Sequence, residues 1–164
     1  MENFFIKNLA DIQIRELIST NSVIIGLDVG DKTVGVSASD RRIRVASGLS
    51  TISRKGNNLD FQLLTKCLQS YKVGLIIFGW PVQMNGIPGK QCEKVLEFVQ
   101  KLFTYFPCDY AKWDERFSTS VVDRILINAN LSREKRKKYI DQSAAIYILQ
   151  GAIDFLNKNL LFPN

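Results

Sequence analysis

The sequence contains no histidine. That absence removes Ser-His-Asp and Cys-His triads, HExxH zinc sites and every mechanism that uses imidazole as the proton carrier. Cysteine is scarce: Cys67, Cys92 and Cys108 lie 25 and 16 residues apart, with no CxxC pair. An odd, widely spaced set fits neither a structural zinc site nor a disulfide framework, which points to a reducing cytoplasm. No apolar run approaches the roughly 20 residues of a membrane-spanning helix. Glu2, Lys7, Asp11, Arg15 and Glu16 interrupt the opening positions, where a secretory leader would be apolar. Low-complexity tracts, internal repeats and long Pro/Gly/Ser linkers are also missing. What is present is 164 residues, 46% hydrophobic and 23% charged, a composition suited to one soluble domain with a single core. Catalysis, if any, must rest on carboxylate, lysine, tyrosine or thiol.

Negative charge is in deficit, 16 Asp and Glu against 22 Lys and Arg, giving a net charge of +6 and a pI near 9.3. The balance suits a polyanionic partner. The excess is concentrated. Residues Leu131 to Tyr139, LSREKRKKY, carry five cations against Glu134, and Asp40 to Lys55 carry Arg41, Arg42, Arg44, Arg54 and Lys55 against Asp40. Either stretch also fits a solvated loop.

Hydrophobic patterning predicts the elements. Val23 to Asp28, VIIGLD, is a short β-branched run closed by Gly30, the pattern of a buried strand. Thr33 to Ser39 and Val45 to Ile52 continue it as an antiparallel meander. A helix over Asn58 to Ser70 leads to a buried strand at Val73 to Phe78, and a helix over Gln91 to Phe106 leads to a strand at Cys108 to Trp113. Helices over Thr119 to Ala129 and Gln142 to Asn157 complete the order βββαβαβαα. This is the order of a ribonuclease H-like α/β fold, with a mixed five-stranded sheet flanked by helices, although other mixed α/β sheets share it. Residues 1–22 read as an N-terminal extension with a short amphipathic helix through Ile14, Leu17 and Ile18, and residues 23–164 as one domain.

The carboxylates narrow the choice. Asp28 ends a strand that is otherwise apolar, at the carboxyl end of a central strand, where open α/β sheets bind ligands. It also fits a turn cap before Gly30. Asp114 and Glu115 follow another strand and would emerge at the same edge, or form a solvated pair held by Arg116. Asp141 falls on the helical stripe continued by Ala144, Ala145, Ile148, Ala152 and Phe155, and equally suits the N-cap of the last helix. Carboxylates converging from separate elements are the hard-oxygen set that Mg2+ or Mn2+ takes when a phosphodiester is hydrolysed.

Three segments, VIIGLDVGDKTVGVSASD, GWPVQMNGIPGKQ and WDERFSTSVVDRILINANLSREKRKKYIDQSAAIYILQG, resemble the YqgF (RuvX) family in order and spacing, over about Val23 to Phe155. The resemblance implies a ribonuclease H-like nuclease related to Holliday-junction resolvases, cytoplasmic, acting on precursor 16S ribosomal RNA or branched DNA; a non-catalytic nucleic-acid-binding protein of the same fold is the alternative. Ribosomal particles are possible partners, no membrane is involved, and the chain works as a monomer or homodimer. Carried over by motif, Asp28, Glu115 and Asp141 are the expected metal-binding catalytic set for Mg2+ or Mn2+. Lys32, Arg116, Arg133, Lys135, Arg136, Lys137 and Lys138 are the expected nucleic-acid contacts. Thr33-Val34, Trp80 and Phe117 depart from the family's usual residues. The loop from Gly79 to Gly89 precedes a helix whose free N–H groups suit a backbone phosphate, or is a connecting turn, and Trp80 either stacks on a base or packs. Ser118, Thr119 and Ser120 read as helix caps, since no histidine exists to activate them.

Overall fold

In the computed structural model, backbone is described for residues 4–56, 58–117 and 133–161, and side chains for 4–56, 58–116 and 143–159. The elements are β1 (Ile6–Lys7), α1 (Ile14–Ser19), β2 (Val23–Val29), β3 (Thr33–Ser39), β4 (Ala46–Ser53), α2 (Asn58–Leu68), β5 (Val73–Trp80), α3 (Lys90–Tyr105), β6 (Asp109–Asp114) and α4 (Arg133–Leu161). The sheet runs β1-β6-β5-β2-β3-β4. β3 is antiparallel to both β2 and β4, whereas β2, β5, β6 and β1 are parallel. The meander and the crossovers thus stand where hydrophobic patterning places them.

Two expectations need correction, and one basic stretch of sequence divides in space. The sheet has six strands rather than five, because Ile6 and Lys7 of the extension pair with Tyr110 and Ala111. Two residues are too short to leave a period in the sequence, and what holds them is tertiary: Phe4 packs edge-on against Phe103 and Tyr110, at 5.5 and 5.8 Å between ring centroids. The last helix begins at Arg133, so Asp141 lies within it and is not its N-cap. Arg, Glu and Lys are strong helix formers, and the stretch read as a loop extends the helix instead. The Asp40–Lys55 stretch is not one basic surface. β4 divides it, with Arg41, Arg42 and Arg44 at one end of the sheet and Arg54 and Lys55 at the other, eight strand residues or roughly 25 Å apart. The helix expected over Thr119 to Ala129 and the caps expected at Ser118, Thr119 and Ser120 lie outside the described residues.

Strand alternation splits the core into two layers. Val23, Ile25 and Leu27 of β2 and Ile76 and Phe78 of β5 face α2 and α3, meeting Phe61, Leu64, Phe98 and Leu102. Ile24, Leu75 and Ile77 face the other way, onto Ile148, Leu149, Ala152 and Ile153 of α4. Buried Ser37 fastens this second face, its hydroxyl donating to the Ala145 carbonyl at 2.7 Å. The same alternation puts Asp28 and Gly79 on the α4 side, at the carboxyl ends of adjacent parallel strands.

Candidate functional site

Asp28 and Gly79 follow directly on Leu27 and Phe78, the last paired residues of β2 and β5. Next in the sheet, Trp80 pairs with Asp114 at the end of β6. Trp113 faces α4, packing on Gly151 and Phe155. Alternation turns Asp114 to the opposite side, and a single 3-10 turn over Glu115–Phe117 brings Glu115 back to the α4 side. Its carboxylate fills the space that Gly79 leaves by having no side chain. A Cβ at Gly79 would overlap Glu115 Oε1, and would also press on Ile148 Cδ1 at 2.7 Å.

Electrostatics identify the neighbours of that carboxylate. Burial pushes the Glu115 carboxyl up to about 7, and the charges of Asp28 and then Asp114 push in the same direction. Asp28 and Glu115, expected from sequence to act together, are therefore brought together. Asp114 behaves differently. Its side chain accepts from Arg116 Nη2 at 2.6 Å and from the Arg116 backbone N–H at 3.0 Å, so it caps the turn that presents Glu115. The Arg116 hydrogen bond holds the Asp114 carboxyl below the usual range. The triplet Asp114-Glu115-Arg116 thus divides into a carboxylate facing Asp28 and an ion pair that fixes the turn.

The other expected site residues are placed as follows. Lys32 is exposed in the β2–β3 turn, four positions after Asp28. Arg116 is exposed, with its guanidinium paired to Asp114. Arg133, Lys135, Arg136, Lys137, Lys138 and Asp141 lie in the first part of α4, and their side chains are outside the described residues. Asp141 is one turn ahead of Ala145 in the helix that crosses the Asp28 face. Among the described residues, no three acidic or thiol side chains converge as a metal-binding group. The Asp28–Glu115 pair nonetheless fits a divalent cation: it is a hard-oxygen set whose mutual repulsion a dication would relieve.

Two contributors were not singled out by sequence reasoning. Gly79 was read only as the start of a loop, yet a glycine ending a buried apolar strand is the mark of a close approach. Arg54 was counted as a surface cation. Its Nη1 instead donates to the Gly30 carbonyl at 2.7 Å while its guanidinium lies over the Phe98 ring, bracing the turn that follows Asp28.

A family model described as "RuvX: Holliday junction resolvase" matches residues 22–155. A protein of Thermoanaerobacter pseudethanolicus named "Putative pre-16S rRNA nuclease" is 47% identical over 132 residues, 80% of this chain and 95% of that one. A Clostridium botulinum protein of the same name is 44% identical over 135 residues, 82% and 98% of the two chains. Among solved structures, Thermus thermophilus RuvC in complex with a Holliday junction substrate superposes with a TM-score of 0.55 at 8% identity, covering 86% of this chain and 97% of that one. At that identity the likeness shows a common fold.

Proposed function

The chain belongs to the RuvX family, and from that premise we propose that it is a metal-dependent nuclease that hydrolyses phosphodiester bonds of the 16S ribosomal RNA precursor. The observation that carries the reading is the Glu115 carboxylate seated over Gly79 and facing Asp28 at the carboxyl end of the sheet. Names of relatives at 47% and 44% identity favour the RNA substrate. Resolution of branched DNA is the second reading, favoured by the description of the family.

Asp28 and Glu115 would hold the cation, Mg2+ or Mn2+, with Asp141 completing the set from α4. A bound cation would supply a polarised phosphate oxygen and a more acidic water. The chain itself does the rest. The Asp114–Arg116 pair fixes the turn that aims Glu115, Arg54 braces the turn behind Asp28, and the α4 layer keeps water from one side of the carboxylates. Lys32 and the cations at the start of α4 would take substrate phosphates. The three thiols are unpaired, as suits a cytoplasmic enzyme. No helix among the described residues is long and apolar enough to cross a membrane. The enzyme would act as a monomer or homodimer, on the free precursor or within a ribosomal particle.

The test offers a labelled precursor 16S RNA end, a four-way DNA junction and plain duplexes in parallel, with Mg2+, Mn2+ or chelator. Metal-dependent cutting of the precursor, lost in Asp28→Asn, is expected. Cutting of the junction alone would assign the DNA substrate, and no cutting under any condition would overturn the reading.

A further inference from the structure

The loop between β5 and α3 is fixed in place yet holds its largest side chains out in solvent. Met84 is 90% exposed and Ile87 59% exposed. The loop is well tied: Gln83 N–H donates to the Ile87 carbonyl at 3.1 Å, Gly86 N–H to the Gln83 carbonyl at 2.7 Å, and Ile87 N–H to Asn85 Oδ1 at 3.0 Å. Gly86, at φ +81°, lies on Arg116, where a Cβ would come within 3.2 Å of Nη1. Arg116 follows Glu115 in the turn that ends β6, so the apolar pair stands at the same end of the sheet as the carboxylate site, on the Asp114 side of it.

The surroundings say what this pair would meet. From Trp80 to Cys92 there is no carboxylate, and Lys90 follows the loop directly. Lys112 flanks it on the side of β6, its ammonium 5.1 Å from the Trp80 ring centroid, and Arg116 lies against Gly86 while paired with Asp114. An apolar tip inside a cationic margin complements a polyanion that exposes flat apolar surfaces, which describes a nucleic acid with unpaired bases. Trp80 is half-buried, with Lys112 over one face of its ring and Phe78 meeting it at 75°. Contact with bases therefore falls to Met84 and Ile87. Met and Ile are among the side chains that proteins insert between base steps.

We propose that Met84 and Ile87 form an apolar wedge that engages an unpaired base beside the scissile phosphodiester, so that the site selects single-stranded, flapped or branched positions over continuous duplex. The proposal rests on the nuclease reading above and adds the feature by which that site chooses among nucleic acids.

The test is metal-free binding by fluorescence anisotropy to three RNA probes that share one strand: a continuous duplex, a duplex with a single-stranded flap, and the single strand. The unmodified chain is expected to bind the flap and the single strand roughly tenfold more tightly than the duplex, the order that burying one exposed Met or Ile side chain supplies. Met84→Ser with Ile87→Ser should erase that preference and leave duplex affinity, which phosphate contacts carry, unchanged. Met84→Phe should restore it in the Ile87→Ser background. Both positions are exposed, so an unaltered thermal melt is expected and confirms folding. A double variant that keeps the preference, or loses affinity for all three probes equally, would overturn the wedge alone. Kept preference with reduced self-association in sedimentation velocity would assign the patch to a second copy of the chain. If the unmodified chain binds none of the probes, the nuclease reading falls, and the wedge with it.

Discussion

Glu115→Gln should make the metal-free protein more stable at alkaline pH. The Glu115 carboxyl is raised from an ordinary value of 4.5 to about 7 by burial against Gly79 and by the charges of Asp28 and Asp114. A carboxyl whose folded value is raised leaves stability intact below its unfolded value, and stability is lost as pH rises through the folded value. The window is thus pH 4.5 to 7, and the loss is complete above it. At about 1.4 kcal/mol per pH unit, and allowing for partial solvent access, the ionised carboxylate costs about 2–3 kcal/mol at pH 8. Glutamine has nearly the same shape and no charge to ionise. Its melting temperature should match that of the unmodified chain near pH 4.5 and exceed it at pH 8 by roughly 4–12 °C, at about 2–4 °C per kcal/mol. Thermal melts at several pH values in chelator make the measurement. Equal melting temperatures at pH 8, or a less stable variant, would refute the placement of this carboxylate.

Other outcomes follow from the same geometry. Gly79→Ala puts a methyl group where Glu115 Oε1 and Ile148 now sit, so it should abolish cleavage and lower stability by about 1–3 kcal/mol, read by activity and denaturant melts. Asp114→Asn should weaken cleavage less than Glu115→Gln, because Asp114 faces Arg116; equal losses in kcat would contradict that ordering. Replacing Lys135, Arg136 and Lys138 with Gln should weaken RNA and DNA binding alike. It should also flatten the plot of log affinity against log salt by roughly 0.7–0.9 for each phosphate that is no longer neutralised, and an unchanged slope would leave these cations without a role at the phosphates.

Most of the scaffold was legible because periodicity reports burial. VIIGLD, VGLIIF and the Leu59-Leu63-Leu64-Leu68 spacing marked two central strands and a helix, each within one or two residues of its place, although of the four leucines only Leu64 and Leu68 are buried. Asp28 stood out as a lone charge in an apolar strand. β1 was invisible, since two residues carry no period and its pairing depends on Phe4 packing at long range. The start of α4 was read as a loop because charge density was weighed over helix propensity. The split within Asp114-Glu115-Arg116 was only half legible: alternation gives the two carboxylates opposite faces, but the Gly79 recess that accepts Glu115 comes from another strand. Arg54 misled for a similar reason, its partner being a carbonyl 24 positions away in the chain.

If Asp28, Glu115 and Asp141 jointly hold one divalent cation, removing any of the three should abolish its binding. Mn2+ titration followed by electron paramagnetic resonance decides this, on the unmodified chain and on Asp28→Asn, Glu115→Gln and Asp141→Asn. Saturable Mn2+ binding is expected for the unmodified chain, with its loss in all three variants. Undiminished binding in Asp28→Asn or Glu115→Gln would contradict the shared site, and undiminished binding in Asp141→Asn alone would remove α4 from it.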